Sequence, residues 1–524
     1  MTGLATLLRF TLRRERVRIP VYVLLLVGLI ASTAAQSEQL YPTAASRAEY
    51  VATVEGNPGL IAMVGPAYDV TSVGGDTAWQ WGAFGAVVAA LMSMFIVGRH
   101  TRGEEQSGRS ELVRASVVGR EAPLAAALAV AVFAQLLMGA VTALVMIAAD
   151  TPAAGSIALG ASLAGVGILF AGVAAVTVQV SQGTAGAYGL VGAVLGASYA
   201  LRAAGDVGDG TLSWLSPIGW GQTMRPYADE RWWPPALMLG ATVVLCAVAF
   251  ALLARRDDGA GLLVPRPGPP TASRALARPF GLALRLQRGA LIGWAVGLFF
   301  GGLSIGLTAQ DADSILGDSE EVDEVFAQAA GSLVDNYLAV SLLSMALIGT
   351  GFAIAAVLRM RSEETAGRLE PLLATALARP RWVAGYVLVA AGGTVVVLAA
   401  SGLGAGIADA ANSDDLGRLP LLIGSSLALA PAVWVLIGLA VALFGLLPRL
   451  AAAAWGVLAA CYLAAFLGPL LGLPDWVMDI SPFTHVPLLP AAGFDIVPLL
   501  ALTAVALALC GVGLAGFRRR NVPT

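Results

Sequence analysis

The sequence contains no lysine: all 31 of its basic residues are arginine. A P-loop of the G-x-x-x-x-G-K-[ST] type places a lysine on the β- and γ-phosphates, so this chain cannot itself be a Walker-type ATPase. Charge of either sign is sparse, at 12% of residues against roughly 25% in ordinary soluble domains. With 524 residues, 57% of them apolar, and a mean hydropathy of +0.79, the chain has too few polar residues to cover a soluble surface. The three cysteines, Cys246, Cys461 and Cys510, each sit inside an apolar run and form no CxxC pair. They exclude a disulfide framework and a cysteine metal site, and read as small core residues. There are two histidines, His100 and His485, expected in loops on opposite faces. A clustered His/Asp/Glu centre is therefore excluded, and no catalytic residue, metal ligand or nucleic-acid partner is expected.

What the sequence has instead is a series of apolar runs, each near the ~20 residues a spanning helix needs. They recur near 19–35, 79–98, 123–148, 155–178, 184–203 and 234–254, and again near 289–308, 338–358, 382–408, 419–446, 450–473 and 497–517. The expected fold class is an all-α polytopic membrane protein with twelve transmembrane helices. Arg9, Arg13, Arg14, Arg16 and Arg18 before the first run give it the outline of a signal peptide. With so many spans behind it, that run is expected to remain as the first transmembrane helix. The run 419–446 exceeds a minimal span and is expected to tilt or to break at Pro431.

Arginine placement orients the chain. With the N-terminus inside, 26 of the 31 arginines fall in inner segments, leaving Arg47, Arg202, Arg225, Arg231 and Arg418 outside or at the outer boundary. Acidic residues divide the other way, 10 inside and 24 outside. The expected location is the cell's inner (plasma) membrane, multi-pass, with both termini cytoplasmic.

The two halves repeat each other in the inner loop after the second span of each. Arg102-Gly-Glu-Glu-Gln-Ser-Gly-Arg-Ser-Glu111 aligns with Arg361-Ser-Glu-Glu-Thr-Ala-Gly-Arg-Leu-Glu370 at a constant offset of 259, with six identities in ten positions. Glu104, Glu105, Gly108, Arg109 and Glu111 thus pair with Glu363, Glu364, Gly367, Arg368 and Glu370, and Arg120 pairs with Arg379. Leu-Ser-Pro at 215–217 answers Ile-Ser-Pro at 480–482, and Arg13-x-x-Arg16 answers Arg285-x-x-Arg288. The expected organisation is a first six-span repeat over 1–254, a Pro-rich linker with a second basic amphipathic helix over 255–288, and a second six-span repeat over 289–524. Two six-helix repeats of the same orientation are parallel repeats. Before the first span, Leu4, Leu7, Leu8, Thr11 and Leu12 suit one face of a basic amphipathic helix whose arginines face headgroups, and the same arginines suit ordinary positive-inside flanking.

In the second loop copy, Leu369, Leu372, Leu373, Ala376 and Leu377 follow helical spacing. Their charged neighbours suit either a solvated loop with i,i+4 pairs such as Glu364–Arg368 or a knob that docks a soluble partner. Duplication of such a knob implies two partner copies.

The segment Glu-Glu-x-x-Gly-Arg-Leu-Glu-Pro-Leu-Leu-Ala-Thr (363–375) resembles the coupling-helix signature of ABC-2 type permeases. More narrowly, the chain resembles the fused twelve-span polyketide-antibiotic (tetronasin-type) exporter permeases of actinobacteria. The resemblance rests on Arg-Arg-Glu-Arg-Val-Arg-Ile-Pro (13–20), Gly-Asn-Pro-Gly-Leu (56–60), Gly-Pro-Ala-Tyr-Asp (65–69), Trp-Leu-Ser-Pro-Ile-Gly-Trp (214–220), Arg-Trp-Trp-Pro (231–234) and Gly-Ala-Gly-Leu-Leu (259–263), in that order. It implies two six-helix ABC-2 type repeats and a permease subunit of an ATP-binding-cassette exporter, not an enzyme in itself. Two copies of an ABC ATP-binding subunit would carry ATP and Mg, with no cofactor on this chain. The coupling helices would be the ten paired residues Glu104 to Glu111 and Glu363 to Glu370 named above. The first copy departs from the signature, with Ser-Glu-Leu-Val in place of Leu-Glu-Pro-Leu, which implies looser docking there.

At the outer face, Trp214, Ser216, Pro217 and Trp220, with Ser481 and Pro482 in the second half, are the candidate gate or interface residues. Aromatics there anchor in the bilayer interface, while the Ser216-Pro217 break also suits a re-entrant gate. The long outer segments 36–78 and 309–337 suit caps over the exit or solvated loops. Span interiors carry almost no charge, with Asp150, Asp409 and Arg449 at span ends. An ion-coupled pathway usually displays an intramembrane carboxylate or histidine, so the expected cargo is hydrophobic or amphipathic, antibiotic-like or polyketide-like. Gln135, Thr142, Thr177, Gln179 and Gln182 suit either hydrogen bonding to cargo or joining helices. The alternative reading is a twelve-span ion-coupled drug transporter of the major-facilitator kind. It shares the 6+6 count but not the Glu-Glu-x-x-Gly-Arg spacing.

Overall fold

The computed structural model describes residues 2–40, 47, 50–51, 58–257, 259–263, 270–276, 278–309, 332–467 and 474–521. Outside them lie Gly56 and Asn57, Pro265, Pro267 and Pro269 of the linker, and the outer acidic residues from Asp311 to Glu324. Among the described residues there is no strand, and eleven helices are long and apolar enough to cross a membrane. The chain is an all-α polytopic membrane protein. A further apolar helix of 15 residues, Ala453–Leu467, falls at the place expected for another span but is shorter. The chain divides into two compact units, Met1–Gly268 and Pro269–Thr524.

The first unit opens with α1 (Leu4–Glu15) and α2 (Arg18–Leu40), followed by the short α3 (Pro58–Val64). The second span, α4 (Val73–His100), leads into two short helices, α5 (Arg102–Gln106) and α6 (Arg109–Arg114). Then come α7 (Ala122–Ala148), α8 (Ala153–Val180), α9 (Thr184–Val207), α10 (Pro217–Gln222) and α11 (Pro234–Arg255). The second unit holds α12 (Pro279–Thr308), α13 (Leu333–Thr365), α14 (Leu369–Leu373) and α15 (Arg379–Ser413). It continues with α16 (Arg418–Ala428), α17 (Ala430–Leu446), α18 (Ala453–Leu467), α19 (Asp475–Met478) and α20 (Ile496–Arg519).

Several helices extend past the apolar runs that mark them. α4 starts six residues before position 79 because the Ser72 hydroxyl caps it, accepting from Gly75 N at 3.0 Å. Ser332 does the same for α13, accepting from Asp335 N at 3.1 Å. The fourth span of the second unit breaks at Leu429, beside Pro431, where a missing N–H and a ring clash interrupt the ladder. In place of a separate second amphipathic helix, a turn at Arg274–Leu276 precedes α12, whose first residues run on into the span.

Each unit encloses its fourth span most fully; the most exposed long spans are the fifth and sixth, α9 and α11, in the first unit and the first and last, α12 and α20, in the second. In the first unit, α7 and α8 cross at Gly139 and Gly160, so closely that a β-carbon on Gly160 would lie 2.2 Å from the Gly139 carbonyl oxygen. Such small-residue crossings let backbones approach in lipid, where dispersion rather than the hydrophobic effect drives association. Polar groups join the same helices. The buried Gln135 amide on α7 donates to Ala89 O at 2.8 Å and Ser93 Oγ at 2.9 Å on α4, and Ser93 Oγ donates to Gly167 O on α8 at 2.7 Å. Thr142 and Thr177 donate within their own helices, to Met138 O and Ala174 O. In the second unit, Arg418 bridges two span ends, reaching Asp409 Oδ2 at 2.6 Å and Asp335 Oδ1 at 2.8 Å.

Candidate functional site: the duplicated loop clamps

In the first unit, Gly108 separates α5 from α6 with φ 72°, and in the second, Gly367 separates α13 from α14 with φ 68°. A β-carbon would meet nothing within 4 Å at either position. It is the left-handed backbone, not crowding, that calls for glycine at both copies.

Beside each glycine the motif charges turn inward. Arg102, fully buried, donates to Glu105 Oε2 at 2.7 Å, Val178 O at 2.5 Å and Ala260 O at 2.8 Å. Arg256, the residue just past α11, meets the same carboxylate with two nitrogens, at 2.5 and 3.0 Å, and donates to Gln179 Oε1 at 2.6 Å. Arg120 donates to the Arg256 carbonyl oxygen. The linker start seals this knot: Leu262 N and Leu263 N donate to Gln179 O and Val180 O, and a β-carbon on Gly261 would lie 2.5 Å from Gln182 N.

The second unit builds the same arrangement. Arg361 donates to Glu364 Oε2 at 3.1 Å, and Arg520, the residue just past α20, meets that carboxylate at 2.9 Å. Arg379 donates to the Arg520 carbonyl oxygen at 2.8 Å. Here aromatics replace the linker, the Arg520 guanidinium lying 5.2 Å from the Phe444 ring centroid and 5.4 Å from that of Phe517. In both units an Arg–Glu pair three residues apart thus grips the arginine that ends the sixth span, and a further arginine caps that residue's carbonyl. Charge-assisted bonds of this kind are roughly twice as strong as neutral ones.

Glu104 meets Arg14 of α1 at 2.5 Å and Arg109 at 3.8 Å. Glu363 meets Arg359 at 2.9 Å and Arg368 at 2.6 Å. Arg109, Glu111, Leu112, Arg368 and Glu370 face outward, the Leu112 side chain 77% exposed, while Leu369 anchors α14 to the core. α14 ends at Leu373, so of the expected apolar face Ala376 lies exposed in a turn, while Leu372, Leu373 and, beyond the helix, Leu377 still pack against the core.

The first unit adds an anchor that its repeated motif did not reveal. Glu15, at the end of α1, is fully buried and accepts from Arg99 at 2.6 Å and lies 2.7 Å from His100 Nε2. Burial pushes its carboxyl up, but hydrogen bonds from His100 and Arg99 outweigh burial and hold it at about 2. His100 is therefore not a loop residue. It is the buried last residue of α4.

At the opposite end of the first unit, Ser216 and Pro217 form a helix start. The Ser216 hydroxyl donates to Ser198 O at 2.6 Å and accepts from Gly219 N at 3.2 Å, with Pro217 at the first position of α10. Trp214 stacks on Trp233 with centroids 5.5 Å apart, and Trp220 Nε1 donates to Trp214 O at 2.7 Å. Arg202, buried, caps α3 by donating to Ala62 O at 2.7 Å and Met63 O at 3.0 Å, and Gln222 donates to Val64 O at 2.7 Å. In the second unit, Ser481 is buried and its hydroxyl accepts from Phe483 N at 3.4 Å, with Pro482 between them. His485 lies 2.8 Å from the Asp479 carbonyl oxygen.

Two residues of the clamps were not legible as partners: Arg256 and Arg520 stand 264 apart, outside the 259 register of the motif. Each is instead the C-cap of its unit's sixth span, and that shared position is the signal that finds them.

Fold and site together define a polytopic helical membrane protein with one loop clamp in each of two units. Residues 276–518 match the family described as the C-terminal domain of the multidrug efflux system permease Rv1217c. Over 525 residues, covering 99% of this chain and 95% of the relative, the chain is 41% identical to the multidrug efflux system permease protein Rv1217c of Mycobacterium tuberculosis (strain ATCC 25618 / H37Rv). The chain belongs to this family of efflux permeases.

Proposed function

We propose that this chain is the transmembrane subunit of an ABC-2 type exporter, similar to the fused tetronasin-type permeases, with both termini and both motif loops cytoplasmic. Two copies of an ABC ATP-binding subunit dock on the loops and carry the ATP and Mg. Their approach and separation move α5–α6 and α14, and the clamps pass that movement to the sixth span of each unit. The cargo is hydrophobic or amphipathic, of the drug or polyketide-antibiotic kind. The relative's description as a multidrug efflux permease and the fact that Gln135 and Ser93 hydrogen-bond to protein favour such cargo.

The observation that carries this reading is the repetition of one arrangement in both units: Arg102, Glu105, Arg120 and Arg256, and Arg361, Glu364, Arg379 and Arg520. A merely solvated loop has no need to grip a span end twice in the same way. If ATP drives the transport, its hydrolysis falls to another chain, since no lysine is present here for a P-loop.

The test is reconstitution into vesicles with a candidate ABC ATPase and a hydrophobic fluorescent dye. Transport should require ATP hydrolysis and persist with ionophores present. Dye movement by the purified chain alone, driven by a proton or sodium gradient, would favour the ion-coupled alternative and overturn the proposal.

A further inference from the structure

The second unit begins with a basic cleft to which neither the loop clamps nor the family assigns a role. Ser273, Arg274, Arg278, Phe280, Leu284, Arg285 and Arg288 line a groove of about 820 Å³ at the start of α12, within the size range of small-molecule sites. The groove exists because Gly281 lets the turn at Arg274–Leu276 fold back onto the helix. A β-carbon on Gly281 would lie 2.0 Å from the Ala275 carbonyl oxygen.

Three features define what fits. Arg274, Arg278, Arg285 and Arg288 are exposed, and none has an ion pair or side-chain hydrogen bond among the described residues. No Asp or Glu occurs between Asp258 and Asp311, so the local chain supplies no counter-ion. The arginines of the loops differ: Arg102, Arg256, Arg361 and Arg520 each hold a carboxylate. α12 also starts here, and the first amides of a helix favour an anion. Finally, the arginines lead into an apolar stripe. Arg288, Ile292, Val296 and Phe300 follow one another at i,i+4, and the three apolar side chains are 61%, 50% and 60% exposed.

We infer that this groove binds the phosphate of an anionic phospholipid, with the acyl chains along Ile292, Val296 and Phe300. A soluble phosphate would satisfy the arginines but leave the stripe unused, and an acidic protein segment would not extend down a membrane span. The inference does not depend on the transport mechanism. It holds whether or not an ATPase drives the chain.

Native mass spectrometry of the full-length chain in neutral detergent tests it, with phosphatidylglycerol, phosphatidylcholine or inorganic phosphate added at matched ionic strength. Wild-type protein should retain phosphatidylglycerol at least about tenfold better than phosphatidylcholine, since each arginine near an anionic surface contributes about fivefold. Replacing all four by glutamine (Arg274→Gln, Arg278→Gln, Arg285→Gln, Arg288→Gln) should abolish the preference. Gly281→Ala, which keeps every charge, should weaken it by displacing the turn, and provides the test should the fourfold variant fail to fold. Arg9→Gln with Arg13→Gln and Arg16→Gln, which removes exposed charge from α1 and none from the groove, should cost clearly less of the preference than the fourfold variant. Equal loss in the α1 variant would reduce the effect to general surface charge and overturn the site. Retention of inorganic phosphate in place of lipid would overturn the lipid assignment, as would an unchanged preference in both the fourfold and Gly281→Ala variants.

Discussion

A carboxylate that holds two guanidiniums in a dry site is difficult to replace, because removing it strands two buried charges. Glu105 is in that position: its side chain is 10% exposed, Arg102 is fully buried and Arg256 is 3% exposed. Breaking a buried pair from one side costs about 3–5 kcal/mol. Glu364 is more enclosed still, at 1%, but Arg361 and Arg520 are 31% and 16% exposed and can regain water. Glu105→Gln should therefore lower stability by about 3–5 kcal/mol and Glu364→Gln by roughly 1–2 kcal/mol. Denaturant titration of the detergent-solubilised protein reads both. Equal losses would mean that burial does not set the strength of the clamps. By contrast, Arg109 is 62% exposed and 3.8 Å from Glu104, a surface pair that contributes at most about 1 kcal/mol.

Between elements, the attachment of α1 to α4 rests on Glu15. Its carboxyl is held at about 2, below the ordinary 4.5, so the ionised form is the one that folding favours. The sign follows: this contribution is complete above pH 4.5 and is lost as pH falls toward 2. It amounts to at most about 3 kcal/mol. Thermal midpoints measured from pH 5 to pH 2.5 should fall more steeply for wild type than for Glu15→Gln, which cannot titrate there. Parallel pH curves for the two proteins would show that Glu15 does not fasten α1. The elements themselves were largely legible. Long apolar runs mark membrane helices because lipid leaves the backbone no other partner. Their ends were less legible, since Ser72 and Ser332 start helices in polar sequence beside Asp76 and Asp335. The continuous α12 was not legible either. Arg285 and Arg288 read as a separate amphipathic helix because charge pattern cannot tell whether a helix continues into its span.

For the whole molecule, the repeated motif marks the segment that carries a clamp in each unit but not how its charges divide. Identity at a constant offset marks residues that do the same thing twice, and Glu105 and Glu364 do so by facing inward, to Arg256 and Arg520. A sequence repeat does not reveal whether a charge faces a partner chain or its own. In the structure, the outward surface of the loops is formed by other residues, among them Leu112 and Glu370. Under the proposed function, docking and transmission therefore reside on different side chains. Leu112→Asp with Glu370→Arg should disrupt association with the ATPase, seen as loss of co-purification, and as surface changes should leave stability within about 0.5 kcal/mol. Glu364→Gln should leave co-purification intact but reduce ATP-driven dye export, because the loop no longer grips Arg520 at the end of α20. If Glu364→Gln releases the ATPase while the surface variant retains it, the clamp is itself the docking surface and transmission runs by another route. If Glu364→Gln exports at the wild-type rate, the grip on the sixth span plays no part in coupling.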